Sequence, residues 1–122
     1  MRIRQEILLG IGGVRALTAL GIRPDVFHLN EGHSAFLGLE RIRSLMENEK
    51  QPYDVAFELV RSSSVFTTHT PVPAGHDIFD KGLVAKYLNV MAARLHLDFE
   101  HLYALGLNTG DGFNMTCLAL RC

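Results

Sequence analysis

The chain has 122 residues, of which 48% are hydrophobic and 20% are charged. This composition is typical of one globular domain and excludes a disordered chain. Twelve lysines and arginines against thirteen acidic residues give a net charge of −1, so charge provides no basis for binding nucleic acid or an acidic membrane. The apolar runs are too short to span a bilayer, and the first residues do not resemble a signal peptide. We therefore expect a cytoplasmic protein.

Both ends of the sequence have the pattern of internal segments. Residues 1–9 already show helical apolar spacing with no capping residue before them, and residues 115–122 form an apolar run without a glycine or proline stop. Natural domains usually begin and end in polar, frayed segments. We expect the chain to be a fragment of a longer protein.

The first half of the chain predicts alternating helices and strands. Apolar spacing predicts a helix over 14–20 with Gly21 directly after its end, and residues 26–29 predict a short strand. A loop over 30–33 then leads into an amphipathic helix. Its inward residues are predicted to be Ala35, Leu39, Ile42 and Met46. Its solvent-facing residues are predicted to be Glu40, Arg41, Arg43 and Glu47.

The second half continues this alternation. Pro52 is predicted at the first position of a helix that turns Tyr53, Ala56 and Val60 inward, and residues 65–68 predict a second strand. After a loop over 70–77, a regular helix is marked by apolar residues at helical spacing: Val84, Tyr87, Leu88, Met91 and Leu95. Asp98 and Asn114 are predicted N-caps of two further helices, on either side of a turn over 108–112. Together these elements predict an α/β fold with a partial, Rossmann-like parallel sheet, which needs strands beyond these two.

Each predicted strand is followed by a loop that carries histidine. The first loop covers residues 30–33 and contains His33, and the second covers residues 69–77 and contains His69 and His76. Ligands of open parallel sheets bind at the carboxyl ends of the strands. Two neighbouring strands would bring both loops to one edge, which predicts a functional site there.

Three kinds of site fit these loops, and the residue types favour the third. The metal-ligand types present are His28, Glu31, His33, His69, His76 and Asp77, but no His-Glu-x-x-His signature occurs, and we expect no metal. The carboxylates of Glu31 and Asp77 could act as a pair on a glycosidic bond. In a sugar or phosphosugar pocket, neutral histidine and asparagine would hydrogen-bond hydroxyl groups as both donors and acceptors.

Two other patterns have a structural interpretation. The glycine-rich run over 10–13 partly matches a dinucleotide-binding fingerprint, but Arg15 stands where the third glycine belongs and no strand precedes the run. We expect these glycines to allow close helix packing instead. Cys117 and Cys122 are expected to be buried thiols rather than a redox pair.

At the two histidine loops the sequence resembles the α-glucan (glycogen and starch) phosphorylases of the shorter bacterial and archaeal type. The resemblance covers nearly the whole chain and is carried by residues 5–6, 9–17, 20–22, 28–37, 66–77 and 113–116. It implies the two-domain glycosyltransferase-B fold, with the active site in the cleft between the domains. Residues 1–122 would then be one internal fragment of the N-terminal α/β domain.

The resemblance also implies roles for individual residues. Asn30, Glu31 and His33 match a motif on the glucan-acceptor side of the cleft. His69 matches the histidine that contacts the glucosyl residue being transferred and is the catalytic candidate, while Thr68 and Thr70 match its substrate-binding neighbours. Family members carry an acid soon after the proline that follows this histidine. Here Ala74 follows Pro73, so this contact is either lost or supplied by Asp77.

The resemblance implies partners and a cofactor as well. The parent enzyme would use α-1,4-glucan and phosphate to make glucose 1-phosphate, and a homo-oligomer is the expected assembly. Its pyridoxal phosphate would sit on a lysine of the C-terminal domain, so this fragment is expected to bind no cofactor and to be inactive alone. The alternatives are a segment of a glycosyltransferase-B glucan synthase and a non-catalytic carbohydrate-binding remnant.

Overall fold

The computed structural model describes residues 1–71 and 76–122. The helices are α1 (Arg2–Ile7), α2 (Gly13–Ala19), α3 (Leu37–Asn48), α4 (Tyr53–Ser62), α5 (Lys81–Arg94), α6 (Phe99–Ala104) and α7 (Met115–Arg121). The strands are β1 (Phe27–Asn30), β2 (Ser64–Thr67), β3 (Ile78–Phe79) and β4 (Phe113–Asn114). A π-helical turn (Leu8–Gly12) joins α1 to α2, and a 3-10 turn (Gly32–Ser34) lies between β1 and α3.

Strands β1 and β2 form the predicted parallel pair. Phe27 lies opposite Ser64 and Asn30 opposite Thr67, and helices α3 and α4 provide the crossover between the two strands. Each strand is displaced by one residue from its predicted range. A second, antiparallel pair was not predicted, because β3 and β4 have two residues each and two residues are too few to show strand periodicity. The fold is α/β.

The apolar faces predicted for the helices form the core. Ile42 and Met46 of α3 are buried, as are Ala56 and Val60 of α4. The α5 residues Val84, Leu88 and Met91 are buried too, as is Leu95 directly after the helix, and Tyr87 is half-buried. Within the described ranges, no helix combines the length and apolarity needed to cross a bilayer.

The prediction that the polar residues of α3 face solvent is wrong. Glu40 is fully buried, and its carboxylate pairs with Arg15 of α2 at 2.6 Å and with Arg43. The guanidinium of Arg41 lies 4.0 Å from the centre of the Phe27 ring. Helical spacing identifies the more apolar face but does not show that α2 covers the other one. Since a buried charge needs a partner, Arg15 and Arg43 make this burial possible.

The predicted helix ends are mostly confirmed. Gly21 has φ +72° directly after α2, and the Ile22 N–H donates to the Leu17 carbonyl at 2.9 Å, which is the Schellman geometry that favours glycine. Asp98 accepts from the His101 N–H at 2.8 Å, and Asn114 accepts from the Thr116 N–H at 2.9 Å. Pro52 differs from its prediction: it is extended and precedes α4 as its N-cap residue.

The two cysteines are free. Cys122 is buried, as predicted, and its Cβ would lie 2.8 Å from a Cβ added at Gly38 of α3. Burial raises the pKa of its thiol to about 12, which keeps the thiol protonated and unreactive. Cys117 is half-buried rather than buried.

The glycine-rich run packs closely on its neighbour, as expected, but only through Gly10. A Cβ at Gly10 would lie 2.8 Å from the Leu37 amide nitrogen and 3.0 Å from the Ser34 carbonyl. A Cβ at Gly13 would meet nothing within 4 Å. Gly10 therefore allows the N-terminal helix to approach the start of α3.

Gly10 and Gly13 form a matched pair for a stability test. We expect Gly10→Ala to lower the free energy of unfolding by about 1–3 kcal/mol, because the methyl group meets backbone atoms that cannot move aside easily. Gly13→Ala should raise it by about 0.5–1 kcal/mol, because alanine loses less entropy in a helix. Urea unfolding of the two variants checks this. Equal effects would contradict the close packing at Gly10.

Candidate functional site

The two histidine loops leave the parallel strands at the same edge, as predicted. Asn30 and Thr67 are partners at the end of the ladder. One residue beyond, the Glu31 N–H donates to the Thr67 carbonyl at 2.8 Å. The loop that begins at Glu31 and the loop that begins at Thr68 therefore start side by side.

The carboxylate of Glu31 connects these two loops. Its Oε1 accepts a hydrogen bond from the His69 backbone N–H at 2.5 Å, and its Oε2 accepts one from the Thr68 hydroxyl at 3.0 Å. The His69 N–H and the Thr68 hydroxyl hold the pKa of Glu31 below its ordinary value. Glu31 is thus an ionised group that fixes the backbone at His69.

Glu31 reaches this position with a strained backbone. Its φ is +66° with ψ −179°, a combination that is found almost only in glycine. Such a conformation costs about 1–3 kcal/mol and persists only where surrounding contacts enforce it. The bonds to Thr67, Thr68 and His69 supply that enforcement.

A row of side chains continues across the two strands. The Thr67 hydroxyl donates to the Asn30 amide oxygen at 3.3 Å, and His28 Nε2 lies 3.0 Å from the same hydroxyl oxygen. A hydroxyl that donates to Asn30 can accept from a His28 Nε2–H. Asn30 and His28 are therefore held by the neighbouring strand.

His33 belongs to a separate cluster at the same edge. Its Nδ1 lies 3.0 Å from Asp77 Oδ2 and 3.3 Å from Glu6 Oε1. The other oxygen of Asp77 accepts from Arg2 Nη1 at 3.0 Å. Arg2 and Glu6 both come from α1, so the N-terminal helix completes the surroundings of the first histidine loop.

The two acids of this cluster, Glu6 and Asp77, have pKa values shifted in opposite directions. The Glu6 side chain is 4% exposed, and burial together with the neighbouring Asp77 raises the pKa of Glu6 to about 9. Burial opposes ionisation of Asp77 as well, but hydrogen bonds from Glu6 and His33 and the charge of Arg2 hold the pKa of Asp77 below its ordinary value. At neutral pH, Glu6 is protonated and Asp77 is ionised.

Ligand atoms of Glu6, His33 and Asp77 all lie within 4.8 Å of one another. In the part of the chain that the structure describes, this is the one group of three that is close enough to hold a metal ion. Both oxygens of Asp77 and the Nδ1 of His33 already take part in hydrogen bonds. The expectation of no metal site stays a prediction.

The remaining site candidates are placed as follows. The Thr70 N–H donates to the Thr68 hydroxyl oxygen at 3.4 Å, and His69 is exposed. His76 Nδ1 lies 2.8 Å from the Thr116 hydroxyl. Glu31 and Asp77 contact different partners, one in each cluster. Pro73 and Ala74 lie outside the described residues.

The lysines do not fit a pyridoxal phosphate site. Lys50, Lys81 and Lys86 are all exposed. Lys50 donates to the Glu47 carbonyl and Lys81 pairs with Glu100 at 2.6 Å. The hollow beside Lys81 is also lined by Asp80 and Asp111, whose charge would repel a phosphate group. We therefore assign no cofactor role to these lysines.

Glu6 and Arg2 were missed as site residues. The signal for Glu6 was present, because it lies three residues after buried Ile3 and four before close-packed Gly10, on the inward face of a helix. An acid on a buried helix face needs a special environment. For Arg2, an exposed residue at the chain end, the sequence carried no such signal.

Comparison with known proteins supports the resemblance. The chain is 48% identical over 132 residues to a glycogen phosphorylase of Mycobacterium tuberculosis, an alignment that covers 98% of this chain and 15% of that protein. It is 52% identical over 120 residues to a maltodextrin phosphorylase of Thermococcus litoralis, with 98% and 14% covered. The chain matches a segment of the glycogen and maltodextrin phosphorylases.

A more distant relative gives the same result. A glycogen phosphorylase of Aquifex aeolicus is 35% identical over 124 residues, which cover 99% of this chain and 18% of that protein. No family model matches the chain. The chain spans less than a fifth of the length of these phosphorylases.

The strain at Glu31 can be measured with two substitutions that both remove its carboxylate. Glu31→Ala keeps a side chain at positive φ, whereas Glu31→Gly removes that strain. We expect Glu31→Gly to be more stable than Glu31→Ala by about 1 kcal/mol, the strain relief less the greater flexibility of unfolded glycine. Urea unfolding under one condition compares them. An alanine variant as stable as the glycine variant would contradict the strained conformation.

Proposed function

We propose that this chain forms the glucan-facing edge of the N-terminal α/β domain in an α-glucan phosphorylase of glycosyltransferase-B fold. The reaction would transfer the terminal glucosyl residue of an α-1,4-glucan to phosphate, giving glucose 1-phosphate and a glucan shortened by one residue. The observation that carries the proposal is the junction of the two histidine loops through Glu31. The similarity to glycogen and maltodextrin phosphorylases supports it.

His69 is the proposed catalytic residue. Its imidazole would hydrogen-bond the glucosyl residue being transferred, and its backbone carbonyl would face the anomeric carbon. A carbonyl dipole in that place stabilises positive charge that develops as the glycosidic bond breaks. The bond from the His69 N–H to Glu31 supports this role, because it fixes the peptide backbone that carries the carbonyl.

His33 is the proposed contact on the acceptor side of the glucan. Its ring is about half exposed while Nδ1 is held by Asp77, so Nε2 is available to a hydroxyl group. The surface between the two histidines would be formed by Asn30, Glu31, Thr68 and Thr70. Asp77, the candidate substitute for the family acid, would act through His33, which it contacts directly.

The remaining chemistry would come from other parts of the enzyme. Pyridoxal phosphate and the basic groups that hold substrate phosphate would be supplied by the C-terminal domain. The α/β segment would bind the glucan, orient the transferred residue and stabilise charge at its anomeric carbon.

The role of His69 can be tested in a chimeric enzyme. This chain would replace the matching segment of the Thermococcus litoralis maltodextrin phosphorylase, to which it is 52% identical. We expect His69→Ala to lower kcat/KM for phosphorolysis by about 10²-fold, because hydrogen bonds that strengthen in the transition state are lost. His33→Ala should act more through KM. His101→Ala, an exposed histidine on α6, is the matched control.

The chimera also separates the alternatives. Phosphorolysis that is lost in His69→Ala and kept in His101→Ala supports the proposal. Near-normal activity of His69→Ala would contradict the assignment of the site. Glucosyl transfer from a nucleotide sugar in place of phosphate would indicate a synthase, and glucan binding without either activity would indicate a carbohydrate-binding remnant.

The lysine environments predict how the isolated chain reacts with pyridoxal phosphate. Exposed lysines form loose Schiff bases, so we expect borohydride reduction and peptide mapping to find low, similar labelling at Lys50, Lys81 and Lys86. Free lysine serves as the reference for reactivity. Stoichiometric labelling of one lysine in preference to the others would show a specific site and contradict the expectation.

A further inference from the structure

The cluster of Arg2, Glu6, His33 and Asp77 joins the N-terminal helix to both histidine loops. Arg2 and Asp77 form one ion pair at 3.0 Å, and His33 Nδ1 faces both carboxyl groups. Among the described residues, these four charged or titratable side chains contact one another at this point, and His76, the neighbour of Asp77, contacts the Thr116 hydroxyl of α7 at 2.8 Å. The 3-10 turn that carries His33 also packs on α7, whose adjacent residues, Met115 and Thr116, are uncharged.

The contact with Asp77 indicates which nitrogen of His33 donates a hydrogen bond. An ionised Asp77 can only accept hydrogen bonds, so Nδ1 at 3.0 Å must be the donor. A neutral imidazole that donates through Nδ1 has an unprotonated Nε2, which can accept. Nε2 would then receive a hydrogen bond from a ligand hydroxyl.

The burial of Glu6 indicates where a second proton resides. Arg2 balances one carboxylate, which is Asp77. Glu6 is 3% exposed, and within the described part of the chain its Oε2 has no hydrogen-bond partner. An unpaired buried carboxylate is very costly, whereas a protonated carboxyl group can donate to the neighbouring Asp77.

We propose that Glu6 is a positioning residue that holds a proton and donates it in a hydrogen bond to Asp77, so that Asp77 keeps His33 in the Nδ1–H form. The part of this proposal that concerns a glucan hydroxyl at Nε2 rests on the proposed function. The proton on Glu6 and the form of His33 do not.

The direction of the Glu6 pKa agrees with this arrangement. Burial raises the pKa of Glu6 from 4.5 to about 9, so the unfolded chain releases this proton at a lower pH than the folded chain. Where the unfolded state binds fewer protons, the free energy of unfolding falls as pH rises. The contribution of Glu6 to the free energy of unfolding should therefore decrease as pH rises from about 4.5 to about 9.

The principal test measures protonation directly in the chain. Samples with ¹⁵N-labelled histidine and ¹³C-carboxyl-labelled glutamate would be followed by NMR as pH is varied, with His33→Gln and Glu6→Gln to assign the signals. We expect a neutral Nδ1–H ring at His33 and a protonated Glu6 carboxyl group at neutral pH. An ionised Glu6 beside an imidazolium at His33 would overturn the proposal.

Two substitutions at Glu6 separate the proton from the shape of the side chain. Glu6→Gln keeps a neutral donor toward Asp77, so the Nδ1–H form should remain and the Glu6-dependent loss of stability with rising pH should vanish. Glu6→Leu fills the space without a donor and removes one of the bonds that orient Asp77, so the hydrogen bond from His33 Nδ1–H to Asp77 should weaken. A Glu6→Gln variant that loses the Nδ1–H form would overturn the proposal. If Glu6→Leu does not fold, the ¹³C carboxyl signal of Glu6 in the unsubstituted chain still shows whether Glu6 is protonated.

Zinc and activity measurements complete the test. Stoichiometric Zn²⁺ binding that is lost in Glu6→Gln would show that the three side chains form a metal site, and would overturn the proposal. In the chimeric phosphorylase, Glu6→Leu should raise KM for glucan about tenfold more than Glu6→Gln does. If the NMR result holds and the chimera has no phosphorolytic activity, the proposed function fails while the protonated Glu6 stands.

Discussion

The hydrogen bonds accepted by Glu31 determine how the candidate site is built. Parallel strands satisfy each other's backbone groups along the ladder, but the chain beyond their ends must find other partners. The Glu31 carboxylate is such a partner for the His69 N–H, and it also accepts a hydrogen bond from the Thr68 hydroxyl. It does so from a backbone conformation that is unfavourable for any residue with a side chain. The placement of the second histidine thus depends on an acid in the first loop.

Three acids at this edge have different protonation states because their surroundings differ. Glu31 is half-buried and accepts two hydrogen bonds, which keep its pKa below the ordinary value, so it is ionised. Asp77 is ionised beside Arg2 and His33. Glu6 is buried beside another carboxylate, and that environment favours the neutral form. Similar side chains can therefore anchor a backbone, accept from an imidazole and hold a proton within one small region.

Local patterns predicted the parts of the fold that local forces determine. The strands near residues 27–30 and 64–67 are marked by β-forming residues, and the Gly21 helix end needs a positive φ. The burial of Glu40 could not be predicted in this way, and helical spacing could place Glu6 on an inward face without showing which groups surround it. Whether an acid on a helix is buried depends on the side chains that another element brings to it, such as Arg15 for Glu40. The histidine loops were found because they follow strands, but their hydrogen bonds were not.

The two loops hold each other through carboxylates that cross in opposite directions. Glu31 belongs to the first loop and fixes His69 of the second, while Asp77 at the end of the second loop fixes His33 of the first. A histidine that is anchored only within its own loop would move whenever that loop moves. With reciprocal anchors, displacement of either loop breaks a bond to the other. The His69 backbone and the His33 imidazole are consequently positioned relative to each other as well as to the sheet, and a ligand that contacts both loops requires that relation.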